Sequence, residues 1–290
     1  MAGYTALSDF AEHDTGGGWV RFDRVHGGEL GHEGGEPTHL DGIGGQDSII
    51  RGIVASNGNA PCYLQGGDLL PFVQRATVPA LPPVIPKIQG GVLSEIDGCR
   101  LQESCYMDSC EISCDVEGPV IVTYNWKALK ESKLNIATPN SALKASNLIF
   151  SWFTTSLLLG GVAYKAQRFT ARLNNGLVPK SSLDQNLVVD TRRWVEWFDP
   201  GIQEVSLDLE VRLPTGIDLT VDYVPAVGFI FIAHNEAGDT FTLDMTGGGV
   251  GLHPVGVPQD LGGSGADEKL WKVTFESDHN DLGIWDAAIT

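Results

Sequence analysis

Hydrophobic and polar residues alternate most regularly between residues 200 and 213. The odd positions from 205 to 213 are all aliphatic, whereas the even positions from 204 to 212 are polar and mostly acidic. Side chains on a β-strand point alternately to the two faces of a sheet, so this period of two predicts a strand with one face in a hydrophobic core. The other face is predicted to be solvated and mainly acidic.

A second alternating segment leads into a turn. Its apolar positions are Cys110, Ile112, Cys114 and Val116, and its polar positions are Glu111, Ser113, Asp115 and Glu117. Gly118 and Pro119 follow, and residues 120–126 are again rich in β-branched and aromatic side chains. This pattern predicts a β-hairpin whose first strand has an acidic face.

Strand patterns continue to the end of the chain. Residues 162–174 alternate up to an Asn-Asn-Gly turn at 174–176, and further strand patterns lie at 219–224, 228–233, 240–245 and 270–276. The best helix candidate, residues 128–145, is interrupted by a Thr-Pro pair. Short strands at regular spacing with little helix predict an all-β barrel or sandwich.

The remaining segments are less regular. Residues 1–45 are rich in glycine and are predicted to form an arm or long loop, which leaves 46–290 as the β domain. Residues 57–61 are predicted to turn, and the proline-rich stretch at about 77–91 is predicted to be an extended connector or edge. Residues 145–164 lack charge over a membrane-spanning length, but their polar and glycine residues favour two buried strands around a turn.

Composition narrows the functional classes. The chain has 37 Asp and Glu against 19 Lys and Arg, a net charge of -18, yet 42% of its residues are hydrophobic. It can therefore build a sizeable core and is not predicted to be disordered.

An acidic surface repels phosphates, which disfavours nucleic-acid binding. Such a surface also suits solubility in concentrated salt, so we expect a halophilic source. The first ten residues lack the features of a signal peptide, and export by that route is not expected.

Cysteine and histidine do not form a recognisable metal or disulfide pattern. Five cysteines in a chain without a signal peptide are predicted to be reduced and buried. Cys110 and Cys114 would lie roughly 13 Å apart along one strand, beyond the limit of about 7 Å for a disulfide. His26, His32 and His39 could gather a metal, but the surrounding glycines give them no rigid frame, and we predict no metal or cofactor.

Motifs for catalysis are missing. The sequence contains no nucleophile elbow, phosphate-binding loop, zinc-protease motif or dinucleotide fingerprint. Residues 278–283 resemble part of a calcium loop, but Ile289 stands where such a loop has its acidic ligand. We therefore predict that the chain is not an enzyme.

From about residue 46 to the end, the order of these segments resembles the major tail tube proteins of long-tailed phages and of archaeal viruses, haloarchaeal ones included. The residues that carry the resemblance are 106–127, 150–153, 169–179 and 200–212. Segments 241–244 and 273–276 lie where that family places its last strands. The resemblance implies a β-barrel subunit with a long inter-subunit loop. Such subunits form six-fold rings that stack into a tube, and their sheets merge into one inner wall.

The same resemblance implies the partners. They are other copies of the chain in stacked hexameric rings, the tail terminator, and the baseplate and tape measure proteins. Viral DNA passes through the tube without specific binding, and no membrane is involved. The expected location is the virion tail, assembled in the host cytoplasm. The alternatives are another tail or baseplate ring component, or a carbohydrate-binding β-sandwich surface protein, whereas a glycan hydrolase lacks any catalytic constellation.

Two sets of residues follow as candidates for this function. Carboxylates on an inner wall would repel passing DNA, so the predicted lumen-facing residues are Glu111, Asp115, Glu204, Asp208 and Glu210. On an isolated sandwich the same pattern would be an ordinary solvated face. Segment 127–144 is predicted to be a loop that reaches the neighbouring ring. Aromatic side chains supply much of the contact energy at interfaces. The predicted contact residues between subunits or rings are therefore Trp126, Phe150, Trp152 and Phe153. Packing in the core is the alternative for these aromatics.

Overall fold

The computed structural model describes residues 3–7, 9–25, 27–34, 37–40, 48–51, 53–95, 98–135, 138–152, 155–181, 193–214, 228–247, 251–256, 259–262 and 268–290. Two three-residue 3₁₀ helices, Leu70–Phe72 and Ser146–Leu148, lie in these ranges. The strands are β1 (Gly3–Ala6), β2 (Phe10–Asp14), β3 (Trp19–Arg21), β4 (Arg24–Val25), β5 (Glu29–Gly34), β6 (Pro37–Leu40), β7 (Ser48–Arg51), β8 (Ile53–Tyr63), β9 (Ile85–Gly91), β10 (Cys99–Asp115), β11 (Val120–Leu134), β12 (Ser156–Leu159), β13 (Val162–Ala163), β14 (Lys165–Asn174), β15 (Val178–Lys180), β16 (Arg193–Trp194), β17 (Trp197–Asp199), β18 (Glu204–Pro214), β19 (Phe229–His234), β20 (Thr240–Met245), β21 (Leu252–Pro254), β22 (Gln259–Gly262), β23 (Glu268–Ser277) and β24 (Asp286–Ile289).

The long hairpin of β10 and β11 forms the centre of the main sheet, whose principal order is β1-β5-β8-β11-β10-β14-β18-β23-β21. β14 pairs with the free side of β10, and β18 pairs with β14. Cys110, Ile112 and Cys114 are buried, as their alternation predicts. Val116, predicted to lie on the same face, is exposed because β10 ends one residue before it.

A second sheet of five strands, ordered β13-β12-β19-β20-β24, packs on the main sheet. Phe229, Phe231 and Phe241 of this sheet are fully buried. The ring of Phe231 lies 4.4 Å, between centroids, from that of Phe169 on β14, and Phe241 lies 6.0 Å from Phe150. Aromatic rings of both sheets therefore fill one core. The prediction of an all-β fold with little helix is confirmed, and its architecture is a sandwich.

The glycine-rich N-terminal stretch contributes strands to the main sheet. β2 pairs with β9, and β5 pairs with β8. Gly28 allows the chain to enter β5, because its φ is +102° and a Cβ there would lie 2.2 Å from the main-chain oxygen of Asn59. The prediction that residues 1–45 form a separate arm is therefore wrong for the described part of that segment. Among its described glycines, Gly16 and Gly17 lie in the bend between β2 and β3, and Gly28 lies at a close approach to β8.

The predicted turn at 57–61 is also wrong, since these residues lie inside β8. Gly58 is paired with Trp126 of β11. A Cβ on Gly58 would come within 2.3 Å of the indole Cζ2 of Trp126. The glycine is therefore required by a close approach within the sheet, which a sequence pattern does not distinguish from a turn.

We expect Gly58→Ala to lower the free energy of unfolding by about 1–3 kcal/mol, because the added methyl group overpacks the core. Trp126 cannot easily move away, since it is buried and its Nε1 donates a hydrogen bond to Gln102 Oε1 at 2.7 Å. Urea unfolding would measure the change. Gly17→Ala is the control, because a Cβ there meets no atom within 4 Å. Equal stability of the two variants would contradict the close packing of Gly58 on Trp126.

Three other predictions concern single segments. The candidate helix at 128–145 is not formed, because β11 continues to Leu134 and pairs with β10. The proline-rich segment becomes strand β9 from Ile85 onward. Residues 156–163 form the short hairpin β12–β13, which confirms the two strands around a turn, but the prediction that both are buried is wrong, since β13 is exposed. In the described part of the chain, no helix is long and apolar enough to cross a membrane.

Candidate functional site

All five carboxylates predicted to face a lumen lie on the solvent side of the main sheet. They are Glu111 and Asp115 on β10 and Glu204, Asp208 and Glu210 on β18. The residues that alternate with them, such as Ile112 and Leu207, are fully buried. The period-two prediction of which side each residue occupies is therefore confirmed. That this side faces a lumen stays a prediction.

Strand β14 lies between the two acidic strands and brings two arginines into the same face. Arg172 Nε donates to Glu111 Oε2 at 2.8 Å, and its Nη1 donates to Asp208 Oδ2 at 2.6 Å. Arg168 donates to both carboxylate oxygens of Asp115. We call this surface the polar wall. It consists of Glu111, Asp115, Arg168, Arg172, Glu204, Asp208 and Glu210.

The ion pairs change the protonation equilibria of the wall. Hydrogen bonds from Arg168 lower the pKa of Asp115 below its usual range. Partial burial would raise the pKa of Asp208, but hydrogen bonds from Thr274 and Arg172 outweigh it, and the pKa is lowered. The carboxylates of both pairs are therefore ionised at neutral pH.

The prediction of a mainly acidic face needs correction. The side chains of Arg168 and Asp115 are each 56% exposed, so their pair contributes at most about 1 kcal/mol to stability. Its larger effect is on charge, because two arginines neutralise much of the carboxylate charge on β10 and β18. The sequence contains these arginines at alternating positions, but only the strand order places them between the acidic strands.

A scan of the sequence against protein-family models gave no match, and a search of curated proteins gave none either. The assignment of a function therefore depends on the geometry of the site and on the segment order described above.

The aromatic residues predicted to make inter-subunit contacts lie mainly in the core. Trp126 and Phe150 are 1% and 0% exposed. Trp152 is half-buried and packs against the same core, and Phe153 lies outside the described residues. Trp126 and Phe150 have no side-chain surface left for another chain, so their prediction as interface anchors is corrected. Core packing, the alternative, accounts for both.

The loop that follows β11 is attached to its own subunit. Glu12 of β2 is fully buried and accepts hydrogen bonds from the main-chain N–H groups of Asn140 and Ser141, each at 3.0 Å, and from Ser141 Oγ at 2.6 Å. Lys144 forms ion pairs with the carboxylates of Asp23 and Asp68. Residues 138–144, part of the segment predicted to reach a neighbouring ring, are thus held by buried charges of the same chain.

Sequence patterns did not identify Glu12 as important. It stands in a strand of the stretch that was predicted to be an arm, and its partners in the loop, Asn140 and Ser141, lie more than 120 residues later in the chain. Burial would raise the pKa of Glu12, but the hydrogen bonds from Ser141, Asn140 and Gln89 outweigh it, and the pKa is lowered. Glu12 is therefore a charged anchor for the loop.

The cysteines are free and buried, as predicted. Burial raises the pKa of the Cys110 thiol above its ordinary value, and it raises the pKa of Cys114 to about 12. A thiol that stays protonated is neither a nucleophile nor a metal ligand. Among the described residues, no three His, Cys, Asp or Glu side chains are arranged to hold a metal ion.

Proposed function

We propose that this chain is the major subunit of a viral tail tube, in which stacked hexameric rings form the conduit for DNA delivery. The observation that carries the proposal is the polar wall, a rigid charged face on a large sheet whose other face is a continuous apolar core. The order of segments along the chain, which resembles that of tail tube proteins, supports the same assignment. Its further partners would be the tail terminator, baseplate and tape measure proteins.

The ends of the main sheet support assembly into rings. In the described part of the chain, the sheet ends in β1 on one side and in β21 and β22 on the other, and these strands have three or four residues each. Strands at the end of a sheet have main-chain groups available for another chain. A ring in which each subunit extends the sheet of the next would pair these groups and close the assembly.

The paired charges suggest how DNA would pass the wall. A free arginine would bind a phosphate and delay the DNA, because phosphate contacts supply most of the affinity for a nucleic acid. Arg168 and Arg172 already donate to carboxylates on β10 and β18. Two N–H donors of each guanidinium are thus occupied. The carboxylates of the wall outnumber its arginines, so the wall would repel the DNA backbone and would not bind it.

Electron microscopy of the purified full-length chain tests assembly. We expect rings with six-fold symmetry that stack into tubes, at a protein concentration high enough for association. Low and molar salt should both be examined, because a strongly acidic chain repels its copies less when its charges are screened. Particles that remain monomeric in all of these conditions would contradict the proposal. Monomers that bind a polysaccharide would favour a carbohydrate-binding surface protein.

Gold labelling tests the position of the polar wall in such tubes. Because the native cysteines are all buried, a Ser113→Cys variant adds one accessible thiol at the centre of the wall. A maleimide-linked gold cluster attached before assembly should then appear along the tube axis. Glu236→Cys, in the exposed turn between β19 and β20, is the matched control and should label the outside. Gold from Ser113→Cys on the outer surface would show that the wall does not line a lumen.

A further inference from the structure

A pocket of about 200 Å³ opens on the solvent side of the main sheet, next to the part of the polar wall that lies on β10. It spans β5, β8, β11 and the bulged part of β10. The residues that define this asparagine pocket are Glu29, Asn57, Asn59, Asp108, Asn125 and Lys127. Asn59 lies opposite both Glu29 and Asn125, and Asn57 lies opposite Lys127, so strand pairing brings the lining side chains together.

A β-bulge shapes one side of the pocket. The pairing of β10 with β11 shifts between Met107 and Ser109, which leaves Asp108 as the extra residue. Its Oδ1 accepts the main-chain N–H of Leu177 at 2.8 Å, and its Oδ2 lies 3.0 Å from Lys127 Nζ. Lys127 Nζ also donates to the Leu177 carbonyl at 2.7 Å. Bulges commonly redirect a side chain next to a binding site, and the redirected carboxylate is held by two groups, the Leu177 N–H and the Lys127 ammonium.

One group in the lining lacks a partner. The side-chain Oδ1 of Asn57 is buried and accepts no hydrogen bond from the described residues. The main-chain oxygen of Asn57, in contrast, accepts a hydrogen bond from Gln102 Nε2 at 2.8 Å. A buried acceptor without a donor is unfavourable, so the Asn57 amide would be stabilised by turning toward a hydroxyl or amide donor of a ligand in the pocket.

The lining limits the chemistry of that ligand. Two carboxylates disfavour an anion. A divalent cation would have to displace the Lys127 ammonium from Asp108. The lining also includes Gly58 and Trp126 and so combines polar groups with apolar surface, which suits a ring that has both hydroxyl groups and C–H faces. Asparagine amides both donate and accept hydrogen bonds, and carboxylates accept them. A volume below the 300–1,000 Å³ typical of pockets for drug-sized ligands suits a single small ring.

We propose that the asparagine pocket binds one neutral, polyhydroxylated ring, that is, a single sugar unit. Its hydroxyl groups would donate to Asn57 Oδ1 and Glu29 and would exchange hydrogen bonds with the amides of Asn59 and Asn125. This inference does not rest on the assembly of tubes. Four strand-to-strand steps separate β8 from β18. At about 20–25° of twist per step, the β8 side of the pocket is rotated by about 80–100° from the charged rows on β18, whereas its β10 side adjoins Glu111 of the polar wall.

Saturation-transfer NMR and calorimetry on the full-length, unassembled chain test the proposal. The probes are the methyl glycosides of glucose, galactose and mannose, with N-acetylglucosamine, and calcium chloride and sodium phosphate represent the other ligand classes. We expect saturable binding of at least one sugar and of neither salt. Saturable binding of calcium or phosphate at the pocket instead of a sugar would overturn the assignment. So would the absence of saturable binding by every probe at millimolar and higher concentrations.

Variants locate the binding. Asn57→Ala and Asn125→Ala should each weaken sugar binding about tenfold, the usual effect of one lost hydrogen bond at a buried group. Thr170→Ala, on the same face of the sheet but outside the pocket, should leave it unchanged. Glu29→Gln is the third pocket variant and should also weaken sugar binding. It replaces Asn57→Ala if that variant does not fold, because Glu29 is exposed at the rim of the pocket. Sugar binding that survives all three pocket substitutions would place the site elsewhere and refute the proposal.

Discussion

Glu12→Gln is expected to lower the free energy of unfolding by about 3–5 kcal/mol, the range for breaking a buried charged network. The carboxylate is fully buried and accepts hydrogen bonds from Gln89, Asn140 and Ser141. An amide has one acceptor oxygen instead of two, and its NH₂ group would face donors. The substitution would thus leave N–H groups of the loop without acceptors and release residues 138–141 from β2.

Urea unfolding at neutral pH measures this effect. Glu236→Gln is the matched control, because it makes the same chemical change in an exposed turn, and its effect should stay within about 0.5 kcal/mol. Hydrogen exchange on the native chain adds a local measurement, since the amides of Asn140 and Ser141 should exchange faster in Glu12→Gln. Unchanged stability together with unchanged exchange at these amides would show that Glu12 does not anchor the loop.

Acidification from pH 7 to pH 4 is expected to remove about 3 kcal/mol of stability through His13 alone. His13 is buried beside the ring of Phe22. Burial is the largest cause that lowers its pKa, from 6.5 to about 4. The unfolded chain then binds a proton that the folded chain does not bind between these two values. Stability due to His13 is therefore complete above pH 6.5, is lost progressively as the pH falls from 6.5 to about 4, and falls no further through His13 at lower pH.

Urea unfolding at a series of pH values checks this expectation. His13→Gln removes the imidazole, so its stability should fall less between pH 7 and pH 4 than that of the unaltered chain. His279→Gln, which replaces an exposed imidazole, should retain the full dependence. Glu12 acts in a lower range, because a lowered folded pKa gives stability that is lost only below its ordinary value of 4.5. Parallel curves for His13→Gln and the unaltered chain would mean that His13 is not held neutral by burial.

The attachment of the loop after β11 to its own subunit affects how the proposed tube can be tested. The loop after β11 was predicted to connect rings, and the structure ties it to β2 through Glu12 and to the 23–68 region through Lys144. A deletion in this loop would therefore destabilise the subunit and would not test assembly by itself. Labelling the polar wall at Ser113 is the cleaner experiment, because it changes no buried contact.

The sequence alone predicted the faces of the central strands. In β10 and β18 the alternation correctly separated core residues such as Ile112 and Leu207 from the carboxylates on the solvent side, because the side-chain period of a strand is a local property. The same local information predicted the Gly118 turn and the five buried thiols. It failed in the N-terminal stretch, where glycine is equally consistent with a loop and with a close approach between strands.

Only the tertiary structure decided which side chains meet. Three arrangements depend on the order of strands in the sheet: the pairing of Arg172 with Glu111 and Asp208, the contact of Glu12 with the 140–141 loop, and the meeting of four strands around the asparagine pocket. That order joins residues far apart in the chain, and hydrophobic alternation contains no information about it. The sequence therefore determined that the chain has an acidic solvent face, and the fold converted that face into a charge-paired wall.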